Sequence, residues 1–370
     1  MNVERLHAIT AALRADLDSS TSLTLFQNLV SSLSNQISQP GQPQYQQQTS
    51  QYYTQLLQAL EQSEVNNFSP TWRQVLDEIG ATDLTGEALA ESVRESFSRN
   101  QITPSVAQQE LQGYLNELQR FSAGLDQTLA GLRALKIGRE DLEPGECELG
   151  VLVPRAFLDN QLDRFASELA ELNQIFGVFS EVATGSRPGF EIKTISSTDL
   201  SVYLEVAAIV GACVATCVER IVALYKQLLE IRKTQAELAK LGVEKKNLKG
   251  LEDHSNGVMD NGIEKLVKEV ISEYMPKGEA GRKNELSIEL KFAMKKIANR
   301  IDRGFNIEVR MQEPDVEADA PENATPEEKV LIAAHAKVSE AAQTMQFLKL
   351  DGEPILQLAE SKGGKARGEA

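Results

Sequence analysis

Apolar residues recur at steps of three and four over most of the first 135 positions. Leu6, Ile9, Leu13 and Leu17 share one face of a helix over 3–18. Ser19, Ser20 and Thr21 supply caps for a second helix, whose stripe is Leu25, Phe26, Leu29, Leu33 and Ile37. The Gln/Pro-rich piece 39–50 reads as a linker in its first half and runs into a helix carrying Tyr53, Leu56, Leu57 and Leu60. Ser69-Pro70 and Thr103-Pro104 are each a cap followed by proline at the first helical position. The second pair opens the longest helix, about 104–135. Its residues Leu111, Leu115, Leu118, Phe121, Leu125, Leu129 and Leu132 form a seam of the helical-bundle or coiled-coil kind.

The period changes after Ile137. Alternation through Cys147, Leu149, Val151 and Val153 predicts a strand over 147–153. A helix over 159–183 and a second strand over 190–195 follow. A third strand, 305–311, places Phe305, Ile307, Val309 and Met311 on one face. Between them, 199–241 reads as one helical piece, whose centre, Val206 to Val218, carries no charge. Helices are expected at about 261–275 and 284–303. An acidic linker, 313–325, leads to the capping box Thr325-Pro326-Glu327-Glu328. Residues 326–360 then give a helix and a hairpin turning at Asp351-Gly352, and 361–370 a disordered tail.

The fold class is therefore predominantly α: a helical N-terminal region, 1–135, and an α+β region, 137–312, with a small mixed sheet and a long buried apolar helix.

Composition narrows the function classes. A net charge of −16 argues against broad nucleic-acid binding, which needs many phosphate-neutralising cations. The chain's 370 residues hold three cysteines, too few for a disulfide framework, and an odd count fits a reducing compartment. The first residues lack the basic start and continuous apolar core of a secretory signal, so a cytoplasmic location is expected.

Each group able to carry chemistry has a plainer reading. The apolar segment 200–225 is short of a membrane span, since 13 uncharged residues cover about 20 Å of the roughly 30 Å required; it reads as a buried helix. Cys213 and Cys217 lie four apart without further metal ligands nearby and read as small packed hydrophobes. His7, His254 and His335 are the only histidines, and none sits in a family signature. Glu146, Glu148, Asp159 and Asp163 read as solvent-facing carboxylates, and 253–262 as a loop rich in oxygen ligands but without EF-hand spacing. The loop ATGSRPG and the helix start expected at ISSTDLS match no phosphate-binding fingerprint. Basic stretches at 226–249 and 277–303 read as solvated faces or docking surfaces for an acidic neighbour.

No catalytic, cofactor or metal residue is assigned, and no cofactor is implied. The reading is a non-enzymatic interaction protein (a scaffold, adaptor or sensor) of a prokaryotic cytosol, with protein partners and self-association. The alternatives are a membrane-acting effector inserting 200–225 and a metal-dependent enzyme using an Asp/Glu-rich site.

Overall fold

In the computed structural model, the chain forms two compact units, Met1–Asp141 and Leu142–Ala370. The structure describes residues 3–139, 141–196, 200–241, 249–275, 279–315, 325–345, 347–348, 350 and 352–360. Among these it is predominantly helical, with one four-stranded sheet.

The N-terminal unit consists of α1 (Val3–Ser20), α2 (Ser22–Ser38), α3 (Pro43–Glu61), α4 (Pro70–Glu78), α5 (Gly86–Arg99) and α6 (Pro104–Ala134). The linker expected over 39–50 shrinks to 39–42, because proline is tolerated at the first helical position and α3 starts on Pro43. α1 and α2 pack along α6. They bury Leu111, Leu115, Leu118 and Leu125 with Ile9, Leu13, Phe26 and Leu29, so this much of the seam is filled within the chain. Ser122 replaces Phe121 as the fully buried residue at that level of α6.

In the C-terminal unit, β1 (Cys147–Leu152) is followed by α7 (Leu162–Thr184), β2 (Glu191–Ser196) and β3 (Ser201–Val206). Then come α8 (Ala208–Lys226), α9 (Leu229–Lys240), α10 (Lys249–Tyr274), α11 (Ala280–Asp302), β4 (Asn306–Met311) and α12 (Pro326–Thr344). The sheet order is β2-β3-β1-β4, and every pairing is antiparallel. Cys147, Leu149 and Val151 of β1 lie opposite Met311, Val309 and Ile307 of β4, and this alternating set belongs to the core. α8 lies at its centre, packed by α7, α10, α11, α12 and β4. It comes so close to the sheet that a Cβ at Gly211 would lie 2.2 Å from Cys147 Sγ.

Three expectations need correction. The piece 199–241 is not one helix. Ser201-Val-Tyr-Leu-Glu-Val206 is a strand, then come α8 and α9, separated at Gln227-Leu228. The strand is hidden in sequence because its apolar positions run straight into those of α8. Residues 253–262 are not a loop but lie within α10. Asn and Gly there are weak helix formers, but Ser255, Met259, Ile263 and Leu266 recur on the buried face, and packing outweighs propensity. Gly262 has a packing reason: a Cβ there would lie 2.4 Å from Leu224 Cδ1 of α8. Finally, no strand forms at 355–358, so the expected hairpin is replaced by a segment without regular structure. The capping box holds, with Glu328 N donating to Thr325 Oγ1 at 3.2 Å and Thr325 N to Glu328 Oε2 at 2.7 Å. Most of the acidic linker, the tail from 361, residues 197–199 of ISSTDLS and 242–248 of the first basic stretch lie outside the described residues.

Candidate functional site

The residues singled out in sequence separate in space. His7 is buried, with Nδ1 2.9 Å from the carbonyl of Ile137 and 3.1 Å from that of Gly138, so it joins α1 to the turn after α6. His254 is exposed on α10, and His335 Nε2 lies 3.4 Å from Ser339 Oγ on α12. Asp159 pairs with Arg164, and Asp163 lies exposed in the first turn of α7. Glu146 pairs with Lys193. Glu148 departs from the solvent-facing reading: it is buried, and its Oε1 accepts from Arg310 Nη2 at 3.0 Å. A carboxylate is kept inside only when paired in this way. Among the described residues no three or more His, Cys, Asp or Glu converge on a metal position.

All three cysteines are buried. Burial pushes the Cys147 thiol up to about 12 and the Cys217 thiol well above its ordinary range, so both stay protonated at neutral pH. In the loop ATGSRPG, Gly185 ends α7 with φ 81°, and Arg187 reaches Glu181 and Glu289. The cations of α11 are likewise engaged. Lys295 reaches Asp260 of α10 at 2.5 Å, Lys291 pairs with Glu264, Lys296 with Glu171, and Arg300 grips Glu168 through Nε at 2.5 Å and Nη2 at 3.1 Å. The basic stretch 277–303 is thus a docking face for the acidic positions of α7 and α10.

Two arrangements remain that sequence reasoning did not find. The first is a buried polar centre. Tyr225 closes α8, Arg232 lies on α9 and Asp302 is the last residue of α11. Arg232 Nη1 donates to Tyr225 Oη at 2.7 Å, to the Asp302 carbonyl at 2.7 Å and to Asp302 Oδ1 at 2.9 Å. Tyr225 donates its phenolic proton to Asp302 Oδ1. Burial raises the Asp302 carboxyl above its ordinary range, opposed by the bonds from Tyr225, the Leu356 and Ile355 amides and the Arg232 charge. Burial raises the Tyr225 phenol too, reinforced by the Asp302 charge. One sequence signal was available: a carboxylate at a helix C-terminus opposes the macrodipole and calls for a partner.

This centre holds a segment without regular secondary structure, Gly352–Glu360. Arg232 Nη2 donates to the Gly352 carbonyl at 2.6 Å. The amides of Leu356, Gln357 and Leu358 donate to Asp302 Oδ2 at 2.7 Å, Asn256 Oδ1 at 2.8 Å and Asn299 Oδ1 at 3.1 Å. Asn299 Nδ2 returns a bond to the Leu358 carbonyl at 3.0 Å. Ile355, Leu356 and Leu358 are buried, whereas Gln357 is exposed.

The second arrangement is a cleft of about 510 Å³ in the N-terminal unit, between α2, α3, α5 and the start of α6. Amides (Gln36, Gln46, Asn100) and the aromatic pair Tyr53–Phe97 line it, the rings 4.8 Å apart edge to face. Ile102, beside the lining residue Gln101, is 94% exposed, and Val106, beside Ala107, is exposed as well. Amides offer both donors and acceptors, and the rings offer apolar surface, a combination suited to a polypeptide. Compared with protein families, curated proteins and solved structures, the chain matches none.

Proposed function

We propose that the chain is a non-enzymatic interaction protein, a scaffold or adaptor of the cytosol, that self-associates through the cleft of its N-terminal unit. The observation that carries this reading is Ile102. This large aliphatic side chain, 94% exposed, follows the lining residue Gln101 in sequence, and exposed Val106 precedes the lining residue Ala107, at the end of a cleft lined by amides and aromatics. Contiguous exposed apolar surface rimmed by polar groups is the usual mark of an interaction site. The α6 seam does not supply that surface where α1 and α2 cover it, so association falls to the α5–α6 corner.

Sedimentation velocity at tens of micromolar tests the proposal. The wild type is expected to run above the 40.7 kDa of one chain and Ile102→Asp at that mass. A wild type that stays monomeric removes self-association and leaves an adaptor for another protein.

The same segment that suggested membrane insertion supports the soluble alternative. By length and composition alone, the 19 residues of α8 are long and apolar enough to cross a membrane. Yet Val210, Cys213, Val214, Cys217, Val218 and Ile221 are all buried by protein. Insertion would require the core of the C-terminal unit to open first. Retention of native helical signal and an intact liposome content on mixing would count against the effector reading; leakage would revive it.

A further inference from the structure

A chain segment that adds to a sheet is fixed by the ladder. Residues 352–360 form no strand, and their main chain is read by side chains instead. Three successive amides are accepted by Asp302, Asn256 and Asn299, and the carbonyls of Gly352 and Leu358 are met by Arg232 and Asn299. The acceptors and donors come from three helices, α9, α10 and α11. Arg232 and Asp302 are ordered by Tyr225 and by each other.

The side chains of the segment divide as they do in a bound peptide: Ile355, Leu356 and Leu358 are buried, and Gln357 faces out. Main-chain bonds that ignore sequence, combined with a few apolar anchors that do not, are how proteins recognise extended peptides. Gly352 fixes where the segment enters, having φ +80° and a hypothetical Cβ only 2.8 Å from that of Ala236 on α9.

We propose that α9, α10 and α11 form a binding groove for peptides with the pattern Ile-Leu-x-Leu, and that residues 352–360 are its resident occupant, exchangeable with a matching peptide of a partner. The partner's chemistry is set by the occupant: two adjacent apolar side chains, a third two residues on, and free main-chain amides at and after the second. Proline at any of those three amide positions is excluded, because it has no N–H to give Asp302, Asn256 or Asn299. This groove shares no residue with the N-terminal cleft, so peptide binding here is independent of self-association there.

The test uses the full chain and a fluorescently labelled peptide, GEPILQLAE. The Leu358→Asp chain, whose own segment is weakened, is expected to bind the probe at least tenfold more tightly than the wild type, because the resident segment competes less. Adding Asn299→Ala to that chain is expected to abolish binding, as is a probe with proline in place of Leu356. Amide hydrogen exchange on the wild type supplies the second measurement, which decides the matter if Leu358→Asp fails to fold. The amides of 356–358 are expected to exchange through local opening, at least tenfold faster than those of α8 and α11. Exchange of 356–358 only with global unfolding would overturn the proposal. So would a folded Leu358→Asp chain that ignores the probe.

Discussion

Gly211 offers the sharpest test of how the C-terminal unit is packed. Replacing it with alanine places a methyl carbon 2.2 Å from Cys147 Sγ and 3.2 Å from Val309 Cγ1, whereas a relaxed contact needs about 3.5–4.0 Å. Neither neighbour yields easily, because β1 is hydrogen-bonded on both sides, to β3 and to β4. α8 is held in turn by α7, α10, α11 and α12. Overpacking costs about 1–3 kcal/mol, and an overlap as close as 2.2 Å belongs in the upper half of that range, about 2–3 kcal/mol; a Gly→Ala exchange inside a helix returns about 1 kcal/mol, so a net loss of about 1–2 kcal/mol is expected. Removing the sulfur in Cys147→Ala opens the space the new methyl needs. The double variant is therefore expected to be more stable than the two single losses predict, with a coupling of at least ~1 kcal/mol. The two units can be followed separately during urea unfolding. The three cysteines all lie in the C-terminal unit and are buried, so thiol labelling reports on it, and Cys213 and Cys217 keep doing so after Cys147 is replaced. The sole tryptophan, Trp72, reports on the other unit. If Gly211→Ala proves neutral or stabilising, or the pair is additive, the close approach of α8 to β1 is refuted.

Further predictions follow from buried groups. Asp302→Asn removes the carboxylate that Arg232 meets in the interior and is expected to cost about 3–5 kcal/mol, whereas Arg232→Met with Asp302→Leu restores much of it; urea midpoints read both, and a mild single variant refutes the pairing. The Cys147 thiol, raised to about 12, holds its proton more tightly folded than unfolded, so its contribution is complete below the ordinary thiol value and is lost as pH rises towards 12. Stability is thus expected to fall with pH above about 9, with a slope reduced in Cys147→Ala by up to ~1.4 kcal/mol per pH unit; equal slopes would contradict it. Gly262→Ala forces a methyl to within 2.4 Å of Leu224 Cδ1, but the leucine end is flexible, so a smaller loss than at Gly211 is expected in the same labelling assay.

Which elements were legible from sequence follows from how local their causes are. Helices α1, α2 and α6 could be read because their stripes and caps lie within one element, and the strands at 147, 191 and 306 because alternation is visible over six residues. β3 has apolar positions at Val202, Leu204 and Val206, but one residue later it adjoins a helix that carries no charge before Glu219, and no turn residue separates the two periods. α10 failed for the opposite reason. Its glycines are poor helix formers individually, and Gly262 is explained only by the leucine of another helix that fills the space.

The groove was invisible for a stronger reason: nothing in the sequence of any one of its walls is unusual. Asn256, Arg232, Asn299 and Asp302 are ordinary residues of three helices, and each becomes informative only when the segment is laid against it. Two marks were nonetheless present. Asp302 ends α11, where a carboxylate is disfavoured by the macrodipole unless something nearby compensates. And Ile355-Leu-Gln-Leu358 carries apolar residues after a glycine and a proline, without the length for a helix. An apolar segment that cannot bury itself through regular structure must have its main chain satisfied by other groups, since buried amides are rarely left unpaired. Those two marks answer each other: the carboxylate at the end of α11 accepts the amide of Leu356, and a helix end and an irregular segment settle their unmatched groups together.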